Sequence, residues 1–169
     1  MKNLAACILL VLLFVSCQQQ KIGFVDNAKL INDYQEKMDL EDKLQTKINA
    51  FQKRTDSLRQ AFQLEINEAE LKARKMSQGD LQKLSQELQQ KEQVLSQRVQ
   101  FEQQQITQES QATNDSLIKK VKDFVQNYGK ANGYTYILGS NEAGSVMFGT
   151  EENDLTQTIL DALNKSYKE

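Results

Sequence analysis

The chain has 169 residues with 21 basic and 23 acidic side chains, a net charge of −2, and no histidine, tryptophan or proline. Without histidine there are no histidine general bases, no Ser-His or Cys-His pairs and none of the usual zinc sites. With no convergent nucleophile–base pair either, no enzymatic activity and no cofactor are expected, and a charge so close to balance offers polyanions nothing, so no nucleic-acid partner is expected.

In chain order, Lys2 supplies a short positive segment and Leu4 to Val15 an almost wholly apolar run. That run fits a signal h-region and falls short of the roughly 20 residues a membrane-spanning helix needs. It ends in Phe14-Val15-Ser16-Cys17, followed by three glutamines, which resembles the lipobox of bacterial lipoproteins. The resemblance implies cleavage after Ser16, so that residues 1–16 are a lipoprotein signal peptide, and acylation of Cys17. The alternative is an ordinary signal peptide with an incidental cysteine. After cleavage one cysteine remains, which rules out an intramolecular disulfide.

Lys21-Ile22-Gly23-Phe24-Val25 reads as a short strand, with Asp26 or Asn27 capping a helix behind it. From Asn27 to Lys130 the chain has no proline, a glycine near its middle at Gly79 and another at its end, Gly129, and 17 basic against 16 acidic residues. Leu44, Ile48, Phe51, Leu58, Phe62, Ala69, Ala73 and Met76 fall at coiled-coil spacing once Thr55 and Glu65 fill the skipped positions. Beyond Gly79 the seam resumes at Leu81, Leu84, Leu88, Leu95, Val99, Ile106, Leu117, Val121 and Phe124. A glycine followed by an N-cap aspartate, Asp80, predicts a turn, so residues 27–130 should form a helical-hairpin arm with its tip near 76–80. One uninterrupted helix is the alternative. Each limb would reach about 75 Å at 1.5 Å per residue. Twelve glutamines crowd between Gln82 and Gln111, yet Leu84, Leu88, Leu95, Val99 and Ile106 keep helical spacing through them. Helix is therefore expected there rather than disorder.

Asn132-Gly133 stops the return limb. Tyr134 to Leu138 and Ser145 to Gly149 read as two further strands joined by a hairpin loop. Asp154, with Gln157 three residues on, reads as a capping box opening a final helix that carries Leu155, Ile159, Ala162 and Leu163 on one face. The acidic residues Glu151, Glu152 and Asp154 suit a helix N-terminus better than a metal site.

The expected fold is α+β, mostly α: a long antiparallel helical hairpin inserted in a small β-rich body, residues 17–26 and 131–169, with a C-terminal helix. Fewer than about fifty residues cannot easily complete a core, so strands from several copies should share one. Phe24, Ile137, Val146 and Phe148 are the candidate oligomer-core residues.

The order of Lys-Ile-Gly-Phe-Val-Asp strand, helical hairpin, Tyr-Thr-Tyr-Ile-Leu strand, Val-Met-Phe strand and closing Asp-Leu-Thr helix resembles the Skp/OmpH family of periplasmic chaperones. The likeness covers essentially the whole mature chain, and its most specific pieces are Ile22 to Asp26 with Leu30, and Asp154-Leu155-Thr156 with Ile159-Leu160. It implies a homotrimer in the periplasm whose arms enclose unfolded outer-membrane β-barrel proteins without ATP. This chain departs from the best-known members, which are strongly basic and soluble, in being mildly acidic and carrying a candidate lipid anchor. If arms surround a cavity, Leu64 and Leu71 on one limb and Val94 and Phe101 on the other are the candidate client-binding residues, because each pair sits off the seam. The competing expectation is a structural coiled-coil envelope lipoprotein, a spacer without clients.

Overall fold

A computed structural model describes residues 20–168; the expected signal peptide, residues 1–16, and Cys17 lie outside the described residues. The elements in order are strand β1 (Ile22–Asp26), helices α1 (Asn27–Asn32), α2 (Gln35–Ala73) and α3 (Gln78–Ala131), strand β2 (Tyr136–Ser140), a 3-10 turn (Glu151–Asn153) and helix α4 (Thr156–Lys168). The architecture is α+β and dominated by helix. It divides into two compact units, a body of residues 20–35 with 119–168 and a helical hairpin of residues 36–118.

In the body β1 and β2 pair in parallel, with Ile22 beside Tyr136, Phe24 beside Leu138 and Asp26 beside Ser140. Parallel pairing needs a long crossover, and the hairpin supplies it in sequence. Along the other edge of β1 the Leu155 N–H donates to the Phe24 carbonyl at 2.8 Å, and Asp154 forms a bridge to Phe24. Side chains alternate across the two strands. One face turns Val25 inward, and Ile137 there approaches the backbone of Gly129. Leu30 and Tyr34 from the α1 side meet Ile159 and Leu163 of α4, and these four are the most deeply buried large side chains described. Tyr34 also sets its ring edge-on to Tyr167 at 6.0 Å between centroids.

The local chemistry explains the element ends. Asp26 caps α1, its carboxylate accepting the Lys29 N–H at 3.0 Å. The predicted single helix from Asn27 is interrupted at Asp33-Tyr34, because Tyr34 is drawn into the core. Helix α2 restarts at Gln35, whose N–H donates to the Asn164 side-chain oxygen at 2.8 Å. Helix α3 ends in a Schellman motif: Gly133 takes a φ of +70° and the Tyr134 N–H reaches back to the Gly129 carbonyl at 2.9 Å.

Three expectations are corrected. The strand after the hairpin is Tyr136–Ser140 rather than Tyr134–Leu138, because Tyr134 belongs to the helix-ending turn. Ser145 to Gly149 forms no strand in the single chain and no β-hairpin with β2; Gly149 instead passes so near the Phe24 ring that a Cβ would collide with it. Asp154 opens α4 differently from a capping box: its carboxylate accepts the Thr156 N–H at 2.8 Å, while the Thr156 hydroxyl accepts the Asp26 N–H at 2.8 Å. Gln157 is engaged with Asp161.

At the hairpin tip Lys75 and Met76 close a turn over Lys72 and Ala73. The cap of α3 is Ser77, whose hydroxyl donates to Asp80 Oδ2 at 2.7 Å and accepts the Asp80 N–H at 3.3 Å. Asp80 is thus the third helical residue rather than the N-cap, and Gly79 lies inside the first turn of α3.

Candidate functional site

The two limbs of the hairpin are held by a seam and by ion pairs at its margin. Phe51, Thr55, Ala69, Ile106 and Leu117 are buried, and Leu58, Phe62, Leu84, Leu88, Leu95 and Val99 are half-buried. Lys47 pairs with Glu109, Arg54 with Glu102 and Lys91 with Glu65. The residue numbers of each pair sum to 156. One antiparallel register therefore runs the length of the hairpin and sets Phe62 level with Val94 and Leu58 level with Arg98. Glu65 thus serves the seam by pairing with Lys91 across it, whereas Thr55 is buried within it. These exposed pairs fix register more than stability, each being worth under about 1 kcal/mol.

The seam is thinly filled. A groove of about 650 Å³ opens beside it where Phe51, Thr55 and Val99 meet Gln100, Gln103 and Gln104. A second, of about 370 Å³, lies between Phe62, Ile66 and Ala69 on α2 and Leu81, Leu84 and Leu88 on α3. Ile66 is half-buried and lines this groove, a seam contribution that a strict heptad reading passes over.

Four large apolar side chains take no part in the seam. Leu64 is 64% exposed, Leu71 63%, Val94 64% and Phe101 61%. They sit on continuous helix, so their Cα positions are fixed while their side chains meet solvent.

The body has an apolar surface of its own. On the face of the sheet opposite Val25, Ile22, Tyr136 and Leu138 are exposed around a half-buried Phe24. Beyond the sheet, Met147 is 90% and Phe148 85% exposed, and Val146 is half-buried. The candidate core residues therefore separate. Phe24 lies on this outer face, whereas Ile137 lies on the opposite face and packs within its own chain. Ile22, Tyr136 and Leu138 belong with Phe24 and are missed by the sequence reading. Their signal is the period-2 alternation once the true start of β2 is known. The far edge of β2 has no strand beside it among the described residues, an arrangement that invites pairing with another chain.

Electrostatics add little. The carboxylate of Asp123, by hydrogen bond and charge, holds the exposed Lys119 ammonium above its ordinary range. Among the described residues no cluster of acidic or cysteine side chains could hold a metal ion, and no helix is long and apolar enough to cross a membrane. Every buried side-chain polar atom described has a hydrogen-bond partner.

The chain is thus a strand–hairpin–strand arrangement with large apolar side chains exposed on both units. The chain belongs to the OmpH-like family: the family described as outer membrane protein (OmpH-like) matches residues 21–163. Among solved structures, it is similar to a putative outer membrane chaperone (OmpH-like) from Caulobacter crescentus, at 16% identity and a TM-score of 0.76. That likeness covers 89% of this chain and 88% of the other. No curated protein is significantly similar in sequence.

Proposed function

We propose that this protein is an ATP-independent periplasmic holdase that binds unfolded outer-membrane β-barrel proteins and prevents their aggregation. The observation that carries the reading is the set of four exposed apolar side chains, Leu64, Leu71, Val94 and Phe101, on a hairpin whose seam does not need them. An unfolded chain offers many apolar side chains in no fixed order, and several weak contacts of about 1 kcal/mol each hold it without a shaped pocket. Family membership supports the same reading.

In this reading three copies assemble through the body, and the client lies in the cavity between their hairpins. The outer sheet face, with Phe24, and the exposed Phe148 join copies to one another. Acylated Cys17 tethers the assembly to a membrane from the periplasmic side, which raises its local concentration near nascent clients. The holdase acts by mass action, binding the unfolded state and keeping its free concentration below the level at which it aggregates.

The test is an aggregation assay: an outer-membrane β-barrel protein diluted from urea, with and without the purified protein. Protection at stoichiometric ratio is expected, and the variant L64S/L71S/V94S/F101S should lose most of it while keeping helicity and assembly. No protection by the parent protein leaves the spacer as the better reading. Equal protection by parent and variant moves the binding surface off these four residues.

A further inference from the structure

The seam of α3 recurs every eleven residues, at Leu84, Leu95, Ile106 and Leu117. An eleven-residue repeat keeps close to 3.67 residues per turn, so a given side of the helix stays on that side along the whole limb. Turned largely away from the seam, a sector about 140° wide and about 44 Å long is made of glutamines with Ser85, Ser96 and Thr107, although two of its glutamines, Gln100 and Gln104, also line the groove beside Phe51 and Thr55. All twelve glutamines between Gln82 and Gln111 except Gln103 and Gln105 fall in it, and all are exposed. No charged residue does. Every Asp, Glu, Lys and Arg of this stretch lies outside that sector, and Lys91, Glu102 and Glu109 pair with α2.

This is an unusual way to keep a helix soluble in a chain with 26% charged residues. Some amides elsewhere are tied down, Gln45 to Asn49, Gln63 to Asn67 and Gln157 to Asp161. Among the described residues, no glutamine side chain of the α3 sector makes such a bond. Each amide keeps two donors and a carbonyl acceptor free for a partner. Phe101, eleven residues beyond Gln90, sits on the edge of the sector and Val94 lies next to it; both are exposed.

We infer that this glutamine face is a docking track for the peptide backbone of an unfolded client, reading amide groups rather than charge or sequence. An unfolded polypeptide displays one N–H and one C=O at nearly every residue, which a ladder of free amides can meet in many registers. A neutral polar face complements a neutral polar partner. The bordering Phe101 and Val94 suit the aliphatic and aromatic side chains that a polypeptide carries beside its amides and that a glycan lacks. Client capture is consequently indifferent to client charge and to salt. The inference rests on the holdase reading and specifies how that holdase recognises its substrate.

The test uses the purified full chain and a urea-unfolded outer-membrane β-barrel protein in two forms, unmodified and with its lysines succinylated. Dissociation constants are measured by fluorescence anisotropy at 0.05 and 0.5 M NaCl. For both forms the constant should change by less than about twofold across that range, although exposed charge pairs are strongly screened over it. The variant Q93A/Q97A/Q104A/Q108A, in which alanine favours helix, should weaken both forms about tenfold through lost hydrogen bonds. The variant Q93E/Q97E/Q104E/Q108E should bind the succinylated form worst and acquire a salt dependence. Circular dichroism and sedimentation should match the parent for both variants. A parent protein that binds neither form overturns the holdase reading itself. Binding that is steeply salt-dependent in the parent, or unaltered by the alanine variant, overturns the backbone track and leaves the holdase reading standing. A changed oligomeric state in the alanine variant shows instead that the face joins copies of this chain, and also overturns it.

Discussion

Ile159 is fully buried against Leu30 and Leu163, so it measures how much of the body one chain can stabilise alone. Ile159→Ala removes buried methyl groups and leaves a cavity, a change that typically costs about 2–5 kcal/mol. Urea unfolding should show a large drop in midpoint, and an unchanged midpoint would show that the single-chain core carries little of the stability. Cys17 belongs to the same scale and is tested chemically. Cys17→Ser should abolish incorporation of labelled fatty acid and release the protein from membrane fractions. Identical fractionation of parent and variant would remove the anchor from the account. Residue-scale features are unevenly legible in sequence. Asp26 as a cap follows from its place before a helical run. Asn164 as the residue that meets the first N–H of α2 cannot be read, because the two positions are 129 residues apart and nothing local ties them.

At the scale of elements, the hairpin is legible from period and from the lack of breakers, whereas the tip chemistry is not. Gly79 attracts a turn assignment because glycine so often ends helices, yet Ser77 and Asp80 cap one another and leave Gly79 in helix with open space around it. Gly79→Ala should therefore raise the thermal midpoint, by the equivalent of about 1 kcal/mol of helix propensity. A lowered midpoint would restore a turn role to that glycine. The strands show the opposite bias. Ser145 to Gly149 has strand-like composition without a partner strand among the described residues, and composition alone cannot supply one. The parallel order of β1 and β2 is equally silent in sequence, since pairing partners more than a hundred residues apart leave no local trace. The outward positions of Leu64, Leu71, Val94 and Phe101, by contrast, follow from helical angle alone, which needs no knowledge of the partner limb.

For the whole molecule, the proposed trimer rests on the outer face of the sheet. Leu138 is exposed in the single chain, so Leu138→Asp leaves the monomer's own packing alone while placing a charge where copies would meet. Burying the exposed half of such a leucine is worth about 1 kcal/mol per copy, and an unpaired buried carboxylate costs more. Sedimentation of a form lacking the lipid should give a trimer for the parent chain and slower-sedimenting species for Leu138→Asp. A parent chain that stays monomeric at micromolar concentration would end the proposal. Phe148, with most of its surface in solvent, should join the same assembly, and Phe148→Ala should weaken it without altering the helical content.

The parallel ladder also sets the order in which the chain acquires its structure. Ile22 must meet Tyr136, so β1 is synthesised early and remains without its neighbour until the chain beyond the hairpin has been made. Closing a loop of that length as free coil carries an entropic cost that grows with its logarithm. Zipping the hairpin shortens the path, because its antiparallel register brings the chain near Glu36 close to that near Ile118. Folding of the body is thereby coupled to folding of the hairpin, and contacts so distant in sequence form slowly. During that interval Ile22, Phe24 and Val25 form an unpaired apolar edge, and the newly made chain has the same hazard as the unfolded chains it is proposed to protect.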